Sequence, residues 1–249
     1  MLDYKSIAEI IINSKYTSVF TGAGISVESG IPPFRGENGL WSKYDMSLLD
    51  INYFYRFPKK SWEFSVEVFY KTFENKIPNL AHEIIAKMEK ENYIDSIITQ
   101  NIDNLHKEAG SENVFQFHGN SKEAICLKCK KKYKVTEEML ENLPPYCEKC
   151  GGVLKPDFIF FGESLNEGIY EKSFAEALRA EVFLIVGTTG KIQPASMIPN
   201  IAKQNGAFVI EINIDESEYT NIVSDIFIKE KATIAMNNIY NEICNFKNL

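Results

Sequence analysis

No run in this 249-residue chain approaches the ~18 consecutive apolar residues that a membrane-spanning helix requires, which argues against a helical membrane protein. The opening residues Met1-Leu-Asp-Tyr-Lys-Ser lack a charged stretch followed by an apolar one, so no export signal is read. The expectation is a soluble, cytoplasmic protein without a membrane partner. Positive charge is in short supply. Twenty-seven Lys and Arg against 34 Asp and Glu leave a formal net charge of −7, which argues against a strong, sequence-independent hold on nucleic acid. No internal repeat, low-complexity tract or interdomain linker interrupts the chain. Histidine is scarce as well: His82, His106 and His118 are all there are.

What is present is ordinary globular material, 45% hydrophobic and 24% charged, enough for one large domain or a large one carrying a small insertion. The chain is organised around Phe20-Thr-Gly-Ala-Gly-Ile-Ser-Val-Glu-Ser-Gly-Ile-Pro-Pro-Phe-Arg-Gly36. A β-prone segment, Thr17 to Thr21, runs into small residues that let a backbone approach closely, as at a strand-to-loop junction that meets a pyrophosphate. The spacing Gly22-x-Gly24-x-Ser26 is short of the full dinucleotide fingerprint and by itself also reads as a plain glycine turn. Phe34 and Arg35 follow in a partly rigid loop able to close over a bound anion.

Ile7, Ile10 and Ile11 predict an amphipathic helix over residues 4–14. Trp62, Val66, Phe69 and Phe73 predict another over about 61–74, and Asn79 reads as the cap of a third with Ile84, Ile85 and Met88 inward. Ser96–Gln100, Val182–Val186 and Phe208–Ile212 read as buried strands. Strands alternating with helices imply a mainly parallel α/β sheet, with ligands beyond the carboxyl ends. Thr21, Gln100, Gly187 and Asn213 sit at four such ends and are expected to meet at one crevice.

Four of the five cysteines form two knuckles, Cys126-x-x-Cys129 and Cys147-x-x-Cys150, separated by seventeen residues. Two such knuckles complete a tetrahedral Cys₄ zinc site, and disulfides are disfavoured without export. Four thiolates leave no open position, so the zinc is structural. Cys244 reads as a buried or half-buried thiol, and Lys128, Lys130, Lys131 and Lys132 as a solvated face.

Taken together, Gly22-Ala-Gly-Ile-Ser, Gly30-Ile-Pro-Pro-Phe-Arg-Gly, Thr99-Gln-Asn-Ile-Asp, Leu105-His with Ala109-Gly110, Phe117-His-Gly, the knuckles, Phe160-Phe-Gly-Glu, Val186-Gly-Thr-Thr and Ile212-Asn resemble the sirtuins. Sirtuins are NAD-dependent protein lysine deacylases, and the matching motifs run through nearly the whole chain. The resemblance implies a Rossmann-like parallel sheet domain (about 1–36, 79–119 and 156–249) with a helical module (about 37–78) and a zinc ribbon (about 120–155) inserted. It implies NAD and an acyl-lysine protein or peptide as partners.

The resemblance also assigns roles. His118 is the general base; the acyl oxygen attacks C1′ of the nicotinamide ribose, an alkyl-imidate forms, and His118 acts through the ribose hydroxyls before water releases lysine and O-acyl-ADP-ribose. Asp103 would meet the carboxamide, Asn101 orient the ribose and a water, and Gln100 contact a ribose hydroxyl, with Ile102 between them. Gly22, Ala23, Gly24, Ser26, Phe34 and Arg35 belong to the cofactor loop, where Phe34 shields C1′ and Arg35 pairs with a phosphate or braces the loop. Gly187, Thr188 and Thr189 would bind phosphate or ribose, Asn213, Ile214 and Asp215 the adenosine ribose, and Ala232 the adenine. The peptide would add as a strand between 162–165 and 190–193, involving Gly162, Glu163, Gly190 and Ile192. Ile159, Phe161 and Phe69 would line the acyl-lysine tunnel. His82 and His106 are expected to be structural.

The chain departs from the family at Pro33, usually aspartate, and at Gly190, usually larger and apolar. Where the desuccinylase branch carries tyrosine and arginine, an ungapped alignment on Trp62-Glu63-Phe64 places Ser65 and Val68. Without that cation a buried carboxylate is costly, so acetyl or a longer apolar acyl group is expected over succinyl. The rival readings are a mono-ADP-ribosyltransferase or NAD glycohydrolase on the same scaffold, and a zinc-ribbon binding module.

Overall fold

The computed structural model describes residues 3–35 and 39–247; Gly36, which ends the loop motif, lies outside them. Asp3 caps the first helix, Tyr4–Asn13, by accepting from the Lys5 amide. The helix delivers the chain into β1, Thr17–Thr21, buried at every position as an interior parallel strand must be. Strands β2 (Ser96–Thr99) and β3 (Val114–Gln116) follow, then β4 (Gly119–Cys126), β5 (Lys132–Lys134) and β6 (Leu154–Phe158). The last three are β7 (Val182–Val186), β8 (Phe208–Asn213) and β9 (Ile226–Lys229).

Six of these pair in parallel in the order β3-β2-β1-β7-β8-β9, a Rossmann-like sheet whose strand order reverses between β1 and β7. The strands' side chains alternate between two cores. Val19, Ile97 and Leu184 face helices Tyr4–Asn13, Leu80–Lys90 and Ala232–Lys247. Phe20, Ile98 and Phe183 face helices Glu167–Arg179 and Met197–Gln204 on the other side. The expected cap at Asn79 is present as a capping box, with His82 as its reciprocal partner.

A third core, separate from these two, lies between the helical segment 40–73 and a small antiparallel sheet, β5-β4-β6. The segment expected as one helix over 61–74 runs from Pro58 to Phe73 and widens into a π turn at Val66–Tyr70. Such turns admit one extra residue per turn. Here Phe69 packs at 6.2 Å from the Phe34 ring and 5.2 Å from that of Phe158. Strand β4 starts directly after His118, and Gly119 pairs with Phe158 at the far end of β6, so the small sheet closes at its base beside the large one.

Candidate functional site

The carboxyl ends of β1, β2, β7 and β8 are tied to one another by main-chain and amide contacts. Gly22 N–H donates to the Val186 carbonyl at 3.0 Å and Gly24 N–H to that of Gly187 at 2.8 Å. The Gly24–Gly187 approach leaves no room for side chains, since a Cβ on Gly24 would lie 2.6 Å from Gly187 Cα. Gly187 itself has φ +65°. These glycines therefore serve loop-on-loop packing, with their own N–H groups committed to protein carbonyls. Thr188 sits where the ends meet, accepting from Gln100 Nε2 at 3.0 Å through its hydroxyl and from Asn213 Nδ2 at 3.1 Å through its carbonyl. Thr189, Ile214 and Asp215 are exposed beside it, and Ala232 opens the C-terminal helix.

The glycine loop winds into a short 3₁₀ helix, Ala23–Ser29, that ends at Gly30 with φ +81°. Ser26 is buried on it and donates to Asp103 Oδ2 at 2.7 Å. Asn101 Nδ2 reaches the Gly22 carbonyl at 3.1 Å and Ser26 Oγ at 3.2 Å. Between them, Ile102 is buried and gives its carbonyl to the Ser121 hydroxyl at 2.8 Å. Burial raises the Asp103 carboxyl above the ordinary range, with the Ser26 hydroxyl opposing that shift. Downstream, Arg35 lies 4.5 Å over the Trp41 ring, which braces the Phe34–Arg35 segment.

His118 follows β3, and its Nδ1 lies 3.1 Å from the Gln100 carbonyl. A carbonyl can only accept, so Nδ1 carries the hydrogen and Nε2 keeps its lone pair. Burial lowers the His118 pKa, partly opposed by that same bond, so the ring is a neutral base at pH 7. The other two histidines are buried in a separate pair with ring centroids 4.9 Å apart. His82 serves the cap, and His106 meets the Thr21 hydroxyl at 3.0 Å.

After β6 the chain returns to His118: Ile159 N–H donates to the His118 carbonyl at 2.9 Å. Phe161 is half-exposed, edge-on to Trp41 at 5.6 Å, and bridges Leu49 and Ile51 through its main chain. The turn continues through Gly162 with φ +78° to Glu163. Across the loops, Gly190 has φ +74°, and a Cβ there would meet the Tyr219 ring at 3.0 Å. Tyr219 therefore occupies the room a larger residue at 190 would need. Ile192 is half-buried and its carbonyl accepts from Ser196 N–H at 2.8 Å.

Two contributors carried no sequence signal. Trp41 joins Arg35 to Phe161, but an isolated tryptophan reads as core. Lys155 is 2% exposed, whereas lysines default to the surface; it forms an ion pair with Glu163 at 3.0 Å. Cys244 is half-buried against the core of the C-terminal helix, and Lys132 pairs with Glu123 and Asp157 on a partly exposed face.

The sulfurs of Cys126, Cys129, Cys147 and Cys150 all lie within 4.8 Å of one another. Cys126 and Cys150 are 3.5 Å apart, Cys129 and Cys147 3.6 Å. Those separations are far from a disulfide and near the ~3.8 Å edge of a tetrahedron with ~2.3 Å Zn–S bonds. Tyr133 Oη stands 3.0 Å from the Cys147 sulfur as an outer partner. The residues fit a closed structural zinc site.

The Sir2 family model matches residues 22–194. An NAD-dependent protein deacylase of Pyrococcus furiosus is 43% identical over 243 residues, 95% of this chain and 96% of that protein. An NAD-dependent protein deacetylase of Caldivirga maquilingensis is 41% identical over 241 residues, covering 95% and 92%. Among solved structures, a Sir2 homologue in complex with ADP ribose superposes with a TM-score of 0.92 at 35% identity, covering 100% of this chain and 99% of that one. A Sir2 structure with a p53 peptide and NAD+ gives 0.88 at 32% identity, covering 97% and 98%.

Proposed function

The chain belongs to the Sir2 family, and from that premise we propose how its residues divide the work of an NAD-dependent protein lysine deacetylase. The reaction consumes NAD, acetyl-lysine and one water and yields lysine, nicotinamide and O-acetyl-ADP-ribose. When bound, NAD supplies the ADP-ribosyl group that accepts the acetyl group. Gln100, Thr188, Asn213 and the exposed ends at Thr189, Ile214 and Asp215 would hold its riboses and phosphates, on the frame fixed by Gly22, Gly24 and Gly187. Ala23 would meet it from the cofactor loop, and Ala232 would lie against its adenine. The donor set fits a nucleotide: amides, hydroxyls and loop main chain at the switch point of a parallel sheet.

The observation that carries the assignment is the tautomer of His118. With Nδ1 bound to Gln100 O and burial disfavouring the cation, Nε2 is available to take a proton from a ribose hydroxyl. Asn101 and Asp103, fixed through Ser26, would orient the nicotinamide end. Phe34, backed by Phe69, would keep water from the reacting carbon. Gly162, Glu163, Gly190 and Ile192 would border the substrate, Ile159 and Phe161 the acyl-lysine stem. In this reading residues of about 37–78 form the helical module and 120–155 the zinc ribbon, held together by zinc on Cys126, Cys129, Cys147 and Cys150. A Cys₄ site needs thiols kept reduced, which favours a cytoplasmic setting; among the described residues no helix is long and apolar enough to cross a membrane. Nucleic acid is not expected as a partner.

The test is mass spectrometry of the protein with NAD and an acetyl-lysine peptide, beside an NAD-only reaction and the His118→Ala variant. O-acetyl-ADP-ribose formed only with the peptide, and reduced about 10²- to 10⁴-fold in the variant, is the expected result. Equal nicotinamide release without peptide would replace this reading with an NAD glycohydrolase. ADP-ribose appearing on a protein side chain would replace it with a mono-ADP-ribosyltransferase.

A further inference from the structure

Lys155 is among the largest side chains fully removed from solvent, yet it carries a charge. Its Nζ has three hydrogens, and three oxygens surround it. The Pro156 and Phe158 carbonyls accept at 2.7 Å each, and Glu163 Oε2 stands at 3.0 Å. The Phe160 ring lies 4.3 Å below the charge. Burial lowers the Lys155 pKa, and Glu163 opposes that shift. Glu163 Oε2 also accepts from Phe160 N–H at 3.0 Å, while Glu163 N–H donates to the Phe160 carbonyl at 3.0 Å. The carboxylate therefore closes the turn Phe160–Glu163 on itself and ties it to a cation in β6.

That turn is attached at three places. Lys155 lies opposite Ile125 in the small sheet, one register step from Cys126. Ile159 is bonded to the main chain of His118, and Phe161 to Leu49 and Ile51 of the helical segment. A shift at Glu163 would be transmitted first into the edge that begins at Gly162, which is nearer along these bonds than the strand ends that hold Thr188 and Asn213, reached only through Ile159, His118 and Gln100. A lysine with every donor engaged in a closed site leaves little freedom for that edge.

We propose that Lys155 is a positioning residue for the acyl-lysine substrate, acting through Glu163 to fix the turn on which the peptide aligns. This rests on the proposed reading of Gly162–Glu163 as substrate border. The pair controls peptide affinity and leaves nucleotide affinity alone.

The experiment uses the zinc-loaded full chain and three variants: Lys155→Met, Lys155→Arg and Glu163→Gln. Peptide KM and kcat are measured with saturating NAD, ADP-ribose affinity by calorimetry, and zinc content by atomic emission. Lys155→Met and Glu163→Gln are expected to raise peptide KM by about 10- to 100-fold. ADP-ribose affinity should stay within about twofold and zinc at the wild-type level. Lys155→Arg should restore most of the peptide affinity. Glu163→Gln keeps an acceptor for the Phe160 amide and removes only the charge, so it decides the matter if Lys155→Met does not fold. Unchanged peptide KM in the folded variants overturns the proposal. So does a loss of ADP-ribose affinity equal to the loss for peptide, which marks a merely structural role. Failure of the wild-type protein to turn over any acetyl-lysine peptide would instead overturn the functional reading beneath it.

Discussion

Placing an alanine at Gly24 tests how the nucleotide-facing loops are held together. Gly24 lacks a left-handed backbone, so the cost is purely one of space. The added Cβ would lie 2.6, 2.7 and 2.9 Å from Gly187 Cα, O and C, all main chain, where no side chain can swing aside. Overpacking costs ~1–3 kcal/mol, and separating the loops also strains the 2.8 Å bond from Gly24 N–H to Gly187 O, worth about 1 kcal/mol. The sum, about 2–4 kcal/mol, lowers Tm by roughly 5–15 °C for a chain of this size. Because Gly187 precedes Thr188, ADP-ribose affinity should fall by at least about tenfold. Gly110→Ala is the control: φ is +101° with nothing within 4 Å of the new Cβ, so it should lose only ~1–2 kcal/mol of stability from backbone strain. It should bind ADP-ribose normally. The two are compared by thermal unfolding and calorimetry. A Gly24→Ala protein with wild-type Tm and wild-type ADP-ribose affinity would refute the packing argument.

The acid limb of the kcat/KM profile should have its midpoint below 6.5, because burial lowers the His118 pKa and protonation removes the base; a midpoint above 6.5 contradicts this. Burial also pushes His82 down to about 4. The unfolded chain then binds more protons between pH 4 and 6.5, so stability is complete above 6.5 and is lost as pH falls towards 4. That loss amounts to about 3 kcal/mol, measurable by urea titration at pH 7 and 4.5. Chelation under mildly denaturing conditions should release one zinc per chain and melt the small sheet, read by circular dichroism together with a metal-release dye. Ser65 and Val68 are fully buried, and the Ser65 hydroxyl is committed to Ser61 O at 2.8 Å. A succinyl-lysine peptide should therefore react on the order of 100-fold more slowly than its acetyl counterpart, and equal rates would remove the argument from the missing cation.

The parallel sheet was legible because its strands, such as Val182–Val186, are short apolar runs buried on both faces, a pattern that depends on neighbours in sequence alone. Asn79 was legible as a cap for the same reason. The convergence of Thr21, Gln100, Gly187 and Asn213 followed from topology, since parallel strands put their carboxyl ends on one edge. Lys155 was not legible, because nothing local distinguishes a lysine that meets three oxygens brought from its own strand and the next turn. Nor was the tautomer of His118, which depends on a carbonyl eighteen positions away. The space beside Gly190 likewise belongs to Tyr219, which reaches it only after β8 and its loop have folded.

The closure of the small sheet at its base has a consequence for how the molecule assembles. His118 and Ile159 are separated by roughly 40 residues of chain, and holding such ends together costs about 3 kcal/mol of loop entropy. Pairing of Gly119 with Phe158 and the four clustered sulfurs meet that cost within the excursion itself. For the large sheet, the path from β3 to β7 is then effectively shortened, as though the excursion were a turn. The folding barrier should consequently rise when the metal is withheld during refolding, even though every strand of the large sheet lies outside the excursion.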